Sequence, residues 1–111
     1  MQFAVDVLRL INALPRSISS EVIARQLAKS ATSVAANYRA TCNARSRAEF
    51  IARLGVVVEE ADESVCWLEL AMRASLLTAD ASPLKNEAVE LRSIFAKSLG
   101  TARANARQMT K

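Results

Sequence analysis

An all-α protein is what this sequence predicts, folded as one antiparallel up-down-up-down four-helix bundle, and three observations carry that expectation. Of the 111 residues 51% are hydrophobic but only 5% aromatic, so the apolar content is mostly Ala, Leu and Val, small enough for close helix packing. Two Gly and two Pro in the whole chain leave few positions for turns that need a positive or a fixed φ, which argues against many strands. Four stretches repeat apolar residues at spacings of three and four, with three punctuated breaks between them. A chain of this length makes a single domain, here residues 1–111.

In the first helix Phe3, Val7, Leu10 and Leu14 form the stripe, widened by Ala4, Leu8 and Ile11. Pro15 disfavours helical geometry at Leu14 and ends it there, and the polar run Arg16, Ser17, Ser19 and Ser20 supplies turn and cap. The second helix starts close to Ser20, turns Ile23, Leu27, Ser30, Val34 and Tyr38 inward, and meets no breaker until about Ala44. Ser46 with Glu49 three residues on is a capping box. From it the third helix runs through Phe50, Leu54, Val57, Ala61, Val65, Leu68, Met72 and Leu76, about thirty residues or on the order of 45 Å, the longest of the four. The next break spans Thr78 to Ser82, with Ser82 as N-cap and Pro83 at the first helical position. The fourth helix carries Leu84, Ala88, Leu91, Phe95 and Leu99, is weakened at Gly100, and frays into a basic tail from about residue 104.

The chemistry is narrowed mainly by what is missing. With no His in the chain, Ser-His-Asp and Cys-His catalysis and His-bearing metal sites are excluded, and no Gly-rich loop cradles phosphate, because Gly55 and Gly100 stand alone. The acidic run Glu59, Glu60, Asp62 and Glu63 points around most of a helix, as a solvated or salt-bridged face does, and only pairs within it share a side. Cys42 and Cys66 form no CxxC motif and read as buried free thiols. No enzyme, no metal and no cofactor are therefore expected. Neither a membrane span nor a signal peptide is visible, Asp6, Arg9 and Asn12 interrupting the opening apolar stretch, so the expected place is the cytoplasm.

A net charge of +4 and a pI near 9.6 make a polyanionic partner an option. Positive charge collects on the second helix, at Arg25, Lys29 and Arg39, and on the fourth helix and its tail, at Lys85, Arg92, Lys97, Arg103 and Arg107, whereas the third helix is net acidic. Two readings stand side by side: solvated faces that pair with the third helix, or a surface that tracks the phosphates of RNA or DNA. No aromatics interleave with these cations, and Tyr38 and Trp67 read as packing residues with a polar handle.

The third helix also carries a second apolar stripe, Ile51, Val58, Trp67 and Leu70, beside the first, with Ile51, Val58 and Trp67 displaced from it. A monomeric bundle needs only one stripe per helix, so these residues are the expected interface of a closed cyclic homo-oligomer.

The runs Ala44-Arg-Ser-Arg-Ala-Glu-Phe-Ile-Ala-Arg-Leu-Gly and Glu60-Ala-Asp-Glu-Ser-Val-Cys-Trp-Leu-Glu-Leu, with Arg25-Gln-Leu and Thr32-Ser-Val-Ala-Ala-Asn-Tyr-Arg, resemble the four-helix-bundle family encoded in intervening sequences of bacterial large-subunit ribosomal RNA genes. The family motifs fall on Ser33, Asn37, Tyr38, Ser46, Phe50, Arg53, Leu54, Glu60, Glu63, Trp67 and Leu68, and Glu59 stands where the family commonly has Lys. In this reading Phe50, Leu54 and Leu68 are core, and Asn37 and Glu60 meet in a buried polar contact. That family is similar to the accessory variability protein of diversity-generating retroelements. The resemblance implies a pentamer that binds RNA and partners a reverse transcriptase, with no catalytic role for any residue. The alternative is a structural or protein-interaction module that never touches nucleic acid.

Overall fold

The computed structural model describes residues 1–77 and 80–109 and contains, among them, four helices and no strand: α1 (Gln2–Asn12), α2 (Ile18–Cys42), α3 (Arg47–Arg73) and α4 (Ser82–Met109). Local caps explain where each begins. The hydroxyl of Ser17 accepts the Ser20 N–H at 3.1 Å and starts α2. Ser20 therefore lies inside the helix, its own hydroxyl buried without a partner. Ser46 accepts the Glu49 N–H at 3.0 Å, as the capping box predicts, while the Glu49 carboxylate accepts the Arg45 N–H at 3.2 Å, one residue ahead of the cap.

The third helix is shorter than expected, ending at Arg73 in a Schellman motif. The Leu76 N–H donates to Ala71 O at 3.0 Å and the Ser75 N–H to Met72 O at 3.1 Å, with Ser75 at φ 57 in the left-handed position that glycine usually takes. Of the predicted break, Thr78 and Ala79 lie outside the described residues. Ser82 is not the cap of α4 but its first residue: the Ala81 carbonyl accepts from the Lys85 N–H, and the Asp80 carboxylate accepts the Ser82 N–H at 2.9 Å. That bond holds the Asp80 carboxyl below its ordinary value. The fourth helix does not weaken at Gly100. It runs 28 residues to Met109, one more than α3, and is the longest. Ala102, Ala104 and Ala106, each half-buried, favour helix strongly, and the Arg47 guanidinium reaches the Met109 sulfur.

The four helices form a rod of 55 × 21 × 21 Å. α3 is the middle helix, packed against α2 on one side and α4 on the other, and α1 packs mainly against α2. One core cluster joins all four helices through Phe3, Val7, Leu27, Val65, Leu68 and Ala88. The second, Val34, Leu54, Val57, Ala61 and Leu99, has no residue from α1. The reason is length: the 11 residues of α1 rise about 16 Å, whereas each of the others rises about 40 Å. The rod is a four-helix bundle at one end and a three-helix bundle at the other.

That arrangement also accounts for the second stripe of α3. Ile51 and Val58 pack against the second cluster and Trp67 against the first, all half-buried, because a middle helix has two neighbours within its own chain. Leu70, the last member of that stripe, is strongly exposed, as are Leu8, Ile18, Val22, Tyr38 and Ile94.

Two surface substitutions are expected to stabilise the bundle. Ser75→Gly relieves the left-handed strain at the end of α3, and Gly100→Ala restores helix propensity at a site where the added Cβ meets nothing within 4 Å. Each is expected to add about 0.5 to 1 kcal/mol, seen in thermal melts as a rise of roughly 2 to 5 °C.

Candidate nucleic-acid interface

Among the cations singled out by sequence, Arg25, Lys29 and Arg39 share the outer face of α2, within about 80° of one another around the helix. Lys85, Arg92, Arg103 and Arg107 share a flank of α4, and Lys97 stands apart on another side. The two sets do not merge into one lateral strip, because the α4 flank faces α3: Arg92 donates to the Asp62 carboxylate at 2.7 Å. Arg25 is held by Glu21 at 2.8 Å within α2, an exposed pair that contributes little stability.

What the fold brings together is the three-helix end. Ser64 donates to Ser30 at 3.0 Å across α2 and α3, and Arg92 meets Asp62 across α3 and α4. With antiparallel helices these contacts set Tyr38 level with residue 56 and residue 98. Beyond that level lie Arg39, Arg45, Arg47, Arg53, Arg103 and Arg107, with Lys97 one residue short of it, against one side-chain carboxylate among the described residues, that of Glu49. The rest of the described chain balances seven cations with ten carboxylates. Arg45, Arg47 and Arg53 were not among the cations expected to track phosphates.

Beside this basic end the fourth corner of the bundle is open. Among the described residues no helix covers this part of the groove between α2 and α4, and Tyr38 is 48% exposed, Phe50 37% and Ile94 51%. The Tyr38 and Phe95 rings pack tilted with centroids 5.3 Å apart. The Cys42 thiol, one turn along, hydrogen-bonds the Tyr38 hydroxyl and pushes its pKa up. Cys42 and Cys66 are both free and, contrary to expectation, both exposed: Cys42 follows the point where α1 stops, and Cys66 faces outward on α3.

The expected contact between Asn37 and Glu60 is absent. The Asn37 amide donates to Ser33 O and Ser33 Oγ, both at 2.9 Å, within α2. Glu60 is half-buried with Oε2 unpartnered, and its carboxyl is raised by burial first and by Glu63 next, with Lys29 opposing. The Trp67 indole N–H is likewise buried without a partner. No group of three or more metal-ligating side chains converges among the described residues, and no described helix is long and apolar enough to cross a membrane.

A family model described as 23S rRNA-intervening sequence protein matches residues 1–97. The chain is also similar to the crystal structure of a protein of unknown function from the S23 ribosomal protein family of Bacteroides thetaiotaomicron. The two are 31% identical, the similarity covers 89% of each chain, and the TM-score is 0.80. No curated protein matches the chain.

Glu60 makes stability depend on pH. Its folded-state pKa lies above the unfolded value, so the native state binds the proton more tightly and stability falls as pH rises from the ordinary carboxylate range through the raised value. Glu60→Gln is expected to raise the melting temperature at pH 7 and to leave it unchanged near pH 3, compared by calorimetry at both.

Proposed function

This chain belongs to the 23S rRNA-intervening sequence protein family, and from that starting point we propose that it is a non-catalytic RNA-binding adaptor that works as a homo-oligomer in the cytoplasm. The observation that carries the reading is the polar distribution of charge, seven cations to one carboxylate at the three-helix end. A phosphate backbone attracts such a surface without any requirement for base sequence. The absence of histidine supports a role in holding rather than transforming. Assembly as a cyclic pentamer, as the likeness to the retroelement accessory protein implies, would repeat the +4 charge of each subunit around a ring and multiply weak phosphate contacts. Leu8, Ile18, Val22 and Leu70 supply exposed apolar surface for that assembly, away from the basic end. A reverse transcriptase is the protein partner this reading favours. Exposed apolar residues also favour the second reading, a protein-interaction module that never meets nucleic acid.

Titration with a structured RNA at several salt concentrations separates the two. Binding is expected to weaken with salt at a log–log slope of about −3 to −6, as four or more phosphate contacts require. The double reversal Arg47→Glu with Arg103→Glu is expected to weaken it by tenfold or more, and Arg25→Glu with Lys29→Glu by far less. No binding at low salt and high micromolar protein removes the RNA reading and leaves the protein-interaction module. Light scattering coupled to size exclusion tests assembly separately: the expected mass is a multiple of the 12.1 kDa subunit, and a monomer at tens of micromolar sinks the ring.

A further inference from the structure

Two features meet at the three-helix end, and neither is visible without the other. The first is the cluster of cations. The second is the open corner, where a cavity of about 200 Å³ is lined by Tyr38, Phe50, Ile94 and Phe95, with Thr41 and Ser98 beside them. Three aromatic rings thus share one concave site in a chain that is only 5% aromatic. The cavity continues toward Met1 along Ala31, Val34, Ala35 and Leu91, and no carboxylate is among the side chains that line either part. Its two banks each carry a cation next in sequence to a lining residue: Arg39 beside Tyr38 on α2, and Lys97 beside Ser98 on α4.

We propose that this open corner binds single-stranded nucleic acid, an unpaired base entering against Tyr38 and Phe50 while Arg39 and Lys97 hold the phosphates on either side of it. The inference rests on the RNA-binding reading above and adds the strandedness of the ligand and the place where it is held. Charge selects a polyanion over an apolar or basic helix as occupant, since no carboxylate lines the cavity and the three-helix end around it carries far more cations than carboxylates, the Glu49 carboxylate beside Phe50 being engaged by the Arg45 N–H. The aromatic floor then selects unpaired over paired bases. A duplex keeps its base faces stacked inside and presents phosphates alone, so it gains nothing from Tyr38 or Phe50, whereas a single strand stacks its bases on exposed rings. Stacking of this kind tolerates any base, so the site reads strandedness rather than sequence.

The test uses the full chain and three probes of about twelve nucleotides: an oligouridine strand, the same strand with one central 2-aminopurine, and an RNA duplex of equal length. At fixed salt the single strand is expected to bind at least about tenfold more tightly than the duplex, and the 2-aminopurine fluorescence to change on binding. Tyr38→Leu and Phe50→Leu keep the cavity apolar and are each expected to weaken single-strand binding by about tenfold, abolish the fluorescence change and leave the salt slope unaltered. Arg39→Glu with Lys97→Glu, at exposed positions that do not endanger folding, is expected to make the slope shallower instead. Equal affinity for strand and duplex, or leucine variants that bind the strand like the parent protein, overturns this inference while the broader RNA reading stands. Failure of both probes to bind removes both. A change of oligomer mass in the leucine variants, with RNA affinity unaltered, assigns the corner to a second copy of the chain and likewise overturns the proposal.

Discussion

The seam between α2 and α3 is the constraint from which the rest of the molecule follows, and a pair of hydroxyls sits in its middle. Ser30 and Ser64 lie 3.0 Å apart, with Leu27 O at 3.2 Å from the first and Glu60 O at 2.9 Å from the second. Each hydroxyl has one proton, and two arrangements use both: Ser64 donates to Ser30 while Ser30 donates back to Leu27, or Ser30 donates to Ser64 while Ser64 donates back to Glu60. Either way neither hydroxyl is left bare, which matters because both are buried. Small buried residues near them, Ala31 and Ala61, let the helices come close enough for the bond to form. Sliding α2 along α3 by one turn, about 5.4 Å, breaks that bridge and leaves polar atoms in an apolar seam. The register it enforces decides which ends of the helices meet, and hence where the charges gather.

Local signals were legible in the sequence where they act over a few residues. The Ser46 cap, the stripes on α2 and α4 and the breaks at Pro15 and near Ser82 all state their meaning within a turn or two of chain. Errors came where a local rule met a neighbour it could not foresee. Phe50 and Tyr38 read as core residues because their spacing is right, yet both are exposed, since no described helix packs over them. Ile51, Val58 and Trp67 looked surplus because the number of neighbours of α3 is a property of topology and not of helix periodicity. Asn37 was free to bond its own helix, as short polar side chains often do, and took Ser33 instead of Glu60.

The candidate site shows the same division. Counting charge helix by helix hides it, because α3 is acidic as a whole while its first turns carry Arg47 and Arg53. Only the antiparallel register places those two beside the end of α4 and the last turns of α2. The aromatic cavity is hidden for a related reason: its residues come from three helices and meet only once those helices are packed.

The length of the rod gives this separation of charge a consequence of its own. Counter-ions at physiological ionic strength damp a field within about 8 Å, a small fraction of the 55 Å between the ends. A large partner therefore never senses the average that a net charge or an isoelectric point expresses. Approaching one end it meets a strongly basic body, and approaching the other a mildly acidic one. Such a particle is a weak electric dipole that a polyanion turns before touching, so productive encounters begin basic end first and the orientational search that slows most associations is shortened.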